Sequence, residues 1–227
     1  KTKLVQNVFS SVAPSYDIMN DLMSLGMHRL WKKRFVETVD LKENEIVLDV
    51  GSGSGDIASE ILKENLPTSL YLLDLNKEML LEGKKRLKKE KNIKYFIGNA
   101  EKLNFENNFF DKYTISFCLR NVTEYLLSIK EAYRVLKPGG KYCCLEFSTP
   151  KSSLVSSSYK IYKSKILPLL GEIVAKDKNA YKYLSESIDL FPSQEELSKN
   201  LRDCGFTKVE TINLFNGIVA IHTGYKL

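Results

Sequence analysis

The stretch Ile46-Val47-Leu48-Asp49-Val50-Gly51-Ser52-Gly53-Ser54-Gly55-Asp56 restricts the fold of this chain more than any other. Its first five residues predict a buried strand. The glycines that follow predict a tight turn opening a helix that runs to about Asn65. A strand that enters a helix through bare backbone begins a βαβ unit, and its turn is where a ligand can approach main-chain N–H groups. The same rhythm continues downstream. Strands are predicted at Leu70–Asp74, Ile93–Ile97, Tyr113–Phe117 and Lys141–Phe147, with helices at Lys77–Glu90 and Glu124–Leu136. Lys137-Pro138-Gly139-Gly140 reads as a helix stop and tight turn.

After Phe147 the rhythm changes. Thr149-Pro150-Lys151-Ser152-Ser153 has linker composition, and Leu154 to about Leu190 carries apolar residues at three-to-four spacing, which predicts a helical insertion. Ser193 with Glu196 forms a capping-box start for a further helix. Phe206–Leu214 and Ile218–Lys226 predict two final strands, joined as a hairpin through Asn216-Gly217. At the other end, Leu4–Val12 and Met27–Val39 read as helices separated by Pro14. The simplest place for them is over the open edge at the carboxyl ends of the strands. The expectation is an α/β Rossmann-like fold: a seven-stranded, mostly parallel sheet with helices on both faces, an N-terminal helical cap (1–40) and a helical insertion after strand 5 (150–190). At 227 residues it reads as one domain.

The totals exclude several classes. No apolar run approaches the roughly 18 residues of a membrane span. Cys118, Cys143, Cys144 and Cys204 form no C-x-x-C pair, and His28 and His222 are far apart, so neither a disulfide framework nor a metal is expected. The net charge of +6 is mildly basic, but the cluster Lys84-Lys85-Arg86-Leu87-Lys88-Lys89 reads as a solvated helix face without a nucleic-acid motif.

The turn spacing is G-x-G-x-G, and Asp56 stands where a dinucleotide fingerprint has a small residue. A carboxylate beside a pyrophosphate is repulsive. Asp49 and Asp56 therefore suit a cationic cofactor without phosphate, and S-adenosylmethionine carries a sulfonium and an ammonium. Gly51 and Gly53 give it backbone access. Asp74, at the end of the second strand, is the acidic position that accepts from ribose hydroxyls, and Asn99-Ala100 after the third strand can hold an adenine. The alternative for each is an ordinary turn or strand-end residue.

Longer segments carry a more specific resemblance. Val8-Phe9 with Ala13-Pro14-Ser15-Tyr16-Asp17-Ile18-Met19-Asn20, Phe117-Cys118-Leu119-Arg120-Asn121-Val122, Arg134-Val135-Leu136-Lys137-Pro138-Gly139-Gly140, Tyr183-Leu184-Ser185-Glu186-Ser187-Ile188 and Gly217-Ile218-Val219-Ala220 together resemble the ubiquinone/menaquinone C-methyltransferases, over nearly the whole chain. The resemblance implies cofactor contacts at Ser54, Asp74, Asn99, Ala100 and Ser116. It also implies methylation of a ring carbon of a polyprenylated benzoquinol, 2-methoxy-6-polyprenyl-1,4-benzoquinol, with demethylmenaquinol as the alternative. Ser54 replaces a usual Thr, and Cys118 a common Gly whose loss narrows the pocket. Such a carbon becomes nucleophilic when its ring hydroxyl loses a proton. Arg120 could stabilise the phenolate or polarise a water, Asn121 could orient a ring oxygen, and Tyr16 could close over the site. A salt bridge at a strand end is the plain alternative for Arg120.

Two other classes remain open at this stage: an NAD-type oxidoreductase and a non-catalytic scaffold within a quinone-biosynthesis complex. Peripheral membrane attachment and a homodimer are further expectations, and the insertion is expected to serve the isoprenoid tail. The Lys-rich composition and the absence of an initiating Met point to the matrix side of the mitochondrial inner membrane, with the bacterial cytoplasm as alternative.

Overall fold

The computed structural model describes residues 20, 21, 24, 26–66, 68–150, 152, 162 and 178–227. The expected helix at Leu4–Val12, the Tyr16 segment and most of the Leu154–Leu190 stretch lie outside the described residues. Within them the elements run α1 (Met27–Val39), β1 (Ile46–Val50), α2 (Asp56–Leu62), β2 (Ser69–Asp74), α3 (Lys77–Arg86), β3 (Ile93–Ile97), β4 (Phe110–Ser116), α4 (Tyr125–Val135), β5 (Leu136–Phe147), α5 (Lys178–Asp189), α6 (Gln194–Asp203), β6 (Thr207–Leu214) and β7 (Val219–Tyr225).

The seven strands form one sheet in the order β3-β2-β1-β4-β5-β7-β6. β1 to β5 are parallel, while β7 runs antiparallel to both β5 and β6. Strands covered on both faces need apolar side chains on both, and β1 provides them alternately. Val47 packs with α1, α2 and α3 through Trp31, Phe35, Ile57, Ile61 and Leu80. Leu48 and Val50 join the opposite cluster, with Ile129, Ala132 and Val135 of α4 and Leu197 and Leu201 of α6. The strand order reverses between β1 and β4, so the connections leaving their carboxyl ends diverge and open a crevice.

The position of α1 corrects the expected cap. It lies on a sheet face beside α2, not over the strand ends. Its buried Trp31, Phe35, Val36 and Val39 make an apolar stripe that packs against Val47, Leu145 and other sheet residues. The helix is also tied at its far end, where Lys112 Nζ donates to Asp40 O at 2.8 Å and Lys141 Nζ to Thr38 O at 2.5 Å. These two buried lysines satisfy carbonyls that a helix C-terminus leaves open, and their charge suits its dipole.

Pro138-Gly139-Gly140 also differs from expectation, because β5 begins at Leu136, directly after α4. Phe110 pairs with Leu136 and Lys112 with Lys141, so the segment bulges out of the ladder. Gly139 N donates to Lys226 O and Lys226 N to Gly140 O, which draws the glycines into the β5–β7 pairing. β4 likewise starts at Phe110, earlier than the periodicity indicated. The β6–β7 hairpin forms as expected, but its turn takes three successive positive φ values, at Phe215, Asn216 and Gly217. Ser193 does cap α6, its side chain accepting from Glu196 N at 3.2 Å.

Ser193→Ala should lower the unfolding free energy by about 1 kcal/mol in urea titrations, and Ser193→Asp should keep it near the parent value.

Candidate active site

The glycine turn is anchored before it can bind anything. Gly51 N and Ser52 N both donate to Leu73 O at the end of β2, at 2.8 and 3.1 Å. Gly51 sits at φ 64, and a Cβ built there would collide with the side chain of Cys118 in the connection after β4. Only glycine allows the two connections to approach this closely. Gly53 N then donates to Asp74 Oδ2 at 2.8 Å, and Asn76 N donates to Asp74 Oδ1 at 2.8 Å. Burial pushes the Asp74 carboxyl up, and these backbone amides pull it back towards the charged form.

These connections enclose a cleft of ≈ 820 Å³, including its open mouth. Gly51, Gly53, Asp74, Asn99, Ala100, Ser116 and Asn121 line it, so most of the residues singled out in the sequence come together. Its far wall is braced by a turn. Asn99 Oδ1 accepts from Glu101 N at 3.0 Å, and Glu101 Oε1 accepts from Thr123 N and Glu124 N at the start of α4, both at 2.9 Å. Cys118, Met79 and Phe117 also line the cleft. Of these, the sequence had marked only Cys118.

Five residues fall elsewhere: Asp49, Ser54, Asp56 and Arg120 do not line the cleft, and Tyr16 is not among the described residues. Asp49 lies beneath the turn, 1% exposed; Thr114 Oγ1 donates to its Oδ1 at 2.8 Å, and Oδ2 has no partner among the described residues. Burial pushes its carboxyl up to about 7, with the nearby Asp74 and Asp56 charges adding to the rise. Ser54 is buried outside the cleft lining, its hydroxyl without a partner among the described residues. Asp56 corrects the electrostatic argument made for it. Its carboxylate is held by Lys32 Nζ at 2.5 Å and by Arg86, on the outer side of α2, and it does not line the cleft.

Arg120 belongs to a 3-10 turn (Leu119–Asn121) after β4 and is buried. Its NH1 donates to Glu146 Oε1 at 2.6 Å and to Phe117 O at 2.7 Å. The two side chains keep only 6% and 2% of their exposure, so this is a fully buried ion pair. The guanidinium also lies 5.2 Å from the Phe147 ring centroid. Burial raises the Glu146 carboxyl, and Arg120 opposes that rise. Glu146 went unmarked in the sequence, although a lone carboxylate in Tyr142-Cys143-Cys144-Leu145-Glu146-Phe147 was the available signal. Asn121, next to Arg120, is buried and accepts at Oδ1 from Tyr183 Oη of α5 at 3.1 Å.

The donor set suits a nucleoside with a cationic arm. Asp74 stands at the end of β2 with amides on both oxygens, and Ser116 Oγ is buried in the cleft wall without a partner among the described residues. The bare backbone of Gly51 and Gly53 lines the cleft, and the buried Asp49 carboxyl lies beneath the turn. A crevice at the reversal of a parallel sheet, with carboxylates Asp74 and Glu101 in its lining, suits the cationic cofactor S-adenosylmethionine, and the fold and site together have the character of a Rossmann-like methyltransferase.

Comparison with known proteins gives the family. A model of the ubiE/COQ5 methyltransferase family matches residues 1–226, and the chain belongs to that family. A protein named ubiquinone/menaquinone biosynthesis C-methyltransferase UbiE from Rickettsia bellii (strain RML369-C) is 50% identical over 234 residues, spanning 100% of this chain and 94% of that protein. Its namesake from Rickettsia prowazekii (strain Madrid E) is 49% identical over the same shares. Among solved structures, a SAM dependent methyltransferase from Aquifex aeolicus superposes with a TM-score of 0.66 at 18% identity, over 93% of this chain and 98% of that one. A chain in the complex of the Haloferax volcanii Trm112 methyltransferase activator with a methyltransferase gives 0.71 at 17%, over 97% and 96%. At these identities the structures support the fold.

Two outcomes test the site. Asp74→Ala should weaken S-adenosylmethionine binding by roughly 1.5–3 kcal/mol in calorimetric titration, the usual scale for charge-assisted hydrogen bonds. An unchanged dissociation constant would remove Asp74 from it. For Asp49, the folded-state carboxyl titrates above its unfolded value of 3.8. Its contribution to stability is therefore fully present below about pH 4 and lost as pH rises through about 7. Asp49→Asn should gain stability relative to the parent across that window, by up to roughly 4 kcal/mol, in unfolding titrations at pH 4.5 and 8. A constant difference between the two proteins would contradict the assignment.

Proposed function

We propose that this chain methylates a ring carbon of a polyprenylated quinol, the benzoquinol of ubiquinone biosynthesis, with demethylmenaquinol as the alternative substrate. The observation that carries the reading is the identity of about half to proteins named for both pathways, sustained across the whole chain. The intact cleft argues against a scaffold without activity, and the family to which the chain belongs argues against a dinucleotide oxidoreductase.

When bound, S-adenosylmethionine supplies a methyl group already activated on sulfonium. The chain supplies position. Asp74 accepts from ribose hydroxyls, Ser116 offers an unspent hydroxyl on the wall, and Asp49 provides a carboxyl below the cationic arm. On the acceptor side, the ring hydroxyl must lose its proton as carbon attacks. Asn121 presents an amide to the ring oxygen. Glu146 cancels the charge of Arg120, so Arg120 acts through its N–H groups, of which Nε has no partner among the described residues. Orientation and fixed dipoles are what such a transfer requires. Tyr16 remains part of this proposal as a residue that closes over the site.

The relatives named above are bacterial, and they support the bacterial cytoplasm over the mitochondrial inner membrane. No helix among the described residues is long and apolar enough to cross a membrane. Peripheral attachment at the bilayer, a homodimer, a quinone-biosynthesis complex and a single-domain organisation complete the proposal. Mass analysis of products from paired short-tailed benzoquinol and naphthoquinol substrates tests it. A methylated product from neither would defeat it.

Arg120→Ala should lower turnover about a hundredfold, with cofactor affinity unchanged. Because Glu146 would then lie buried without its cation, the variant should also lose about 3–5 kcal/mol of stability. Adding Glu146→Gln should recover part of that stability and none of the turnover. Recovery of both in melting and single-turnover measurements would leave Arg120 a structural residue only.

A further inference from the structure

Tyr183 of α5 reaches a residue of the cleft lining. Its hydroxyl donates to Asn121 Oδ1 at 3.1 Å. The phenol is half-buried, and burial raises it above its ordinary range, so it remains a donor. On the other side of the same amide, Asn121 Nδ2 lies 3.4 Å from Phe117 O, a carbonyl that Arg120 NH1 already holds at 2.7 Å. The amide is thus fixed from two directions. Turning it over would set Oδ1 against the Phe117 carbonyl, acceptor facing acceptor.

With Oδ1 occupied and one N–H directed at Phe117 O, the second N–H of Asn121 is the group left for the cleft that this residue lines. A hydrogen bond donated to an amide oxygen also polarises that amide and strengthens its N–H as a donor. We infer that Tyr183 is a positioning residue for the methyl acceptor, holding the Asn121 amide so that its free N–H meets the ring oxygen as negative charge develops there. The inference rests on the quinol reading above and adds to it a link between the helix after β5 and the acceptor side of the cleft. α5 contacts the 3-10 turn that carries Arg120 and Asn121, so docking of this helix completes the site.

The test is a double-mutant cycle on the full chain, with short-tailed 2-methoxy-6-prenyl-1,4-benzoquinol as acceptor. Tyr183→Phe keeps the ring and removes the donor. It should lower kcat about tenfold at neutral pH, leave the S-adenosylmethionine dissociation constant within about twofold, and keep the melting temperature within about 2 °C. The loss should shrink at high pH, where the hydroxyl ionises without help; a packing defect would lower the rate equally at all pH values. In an Asn121→Ala background, or Asn121→Ser if the alanine variant does not fold, Tyr183→Phe should cost nothing further. Parent-like kcat, a loss uniform across pH, or an equal loss in both backgrounds would each overturn the assignment. A parent enzyme that methylates neither quinol would fail before any variant is compared, taking the quinol reading and this inference together.

Discussion

The contact between Gly51 and Cys118 is the constraint on which the remaining geometry hangs. β1 and β4 are neighbours in the sheet, yet the chain leaves them in opposite directions. The two connections start side by side before diverging, and a residue with a Cβ at position 51 would hold them apart there. With glycine there, Leu73 O can take two amides of the turn, Gly53 can reach Asp74, and the cleft walls are set by hydrogen bonds of ordinary length. The cleft follows from strand order and one absent methyl group.

Around that cleft the protein buries more charge than stability alone would favour. Asp49 has one oxygen satisfied by Thr114 and the other by nothing described, and Glu146 with Arg120 lies almost fully out of water. Desolvation of this kind costs several kcal/mol per ion and is recovered only through close partners. Arg120 and Glu146 have such partners in each other and in Phe117 O; Asp49 does not. The energetic strain is therefore unequal. It collects under the cofactor side, where a cation arriving with the ligand would relieve it, while the acceptor side is settled within the protein.

Much of this was legible in the sequence because it depends on neighbours in the chain. The parallel strands, the glycine turn, the Ser193 cap and the carboxylate at the end of β2 are local patterns, and the structure keeps each of them. What was not legible depends on partners far along the chain. Asp56 has the composition of a cofactor carboxylate, but Lys32 and Arg86, 24 and 30 residues away, occupy it. Met27–Val39 has the pattern of a covering helix, and nothing local says whether it covers an edge or a face. Lys112 and Lys141 decide that by capping its last carbonyls from the sheet. Pro138-Gly139-Gly140 reads as a turn until β7 supplies the strand that pairs with it.

The same distinction separates the two halves of the site. The cofactor half is acidic and its charges are open: Asp74 and Asp49 have raised carboxyls, and among the described residues the only cations held in ion pairs near the turn, Lys32 and Arg86, are spent on Asp56. The acceptor half is dipolar and its charges are closed, with Arg120 matched by Glu146 and Asn121 fixed by Tyr183 and Phe117. Methyl transfer to a quinol moves charge across this boundary, since the donor's positive charge passes with the methyl group to the ring, which sheds it as a proton. A buried carboxyl holds the cationic donor before transfer and loses that attraction once the product is neutral, and N–H groups stabilise the ring oxygen while it carries negative charge as its proton leaves. Pairing Asp56 with Lys32 and Arg86 contributes to this arrangement, because it keeps two cations off the side of the cleft where they would compete with the ligand.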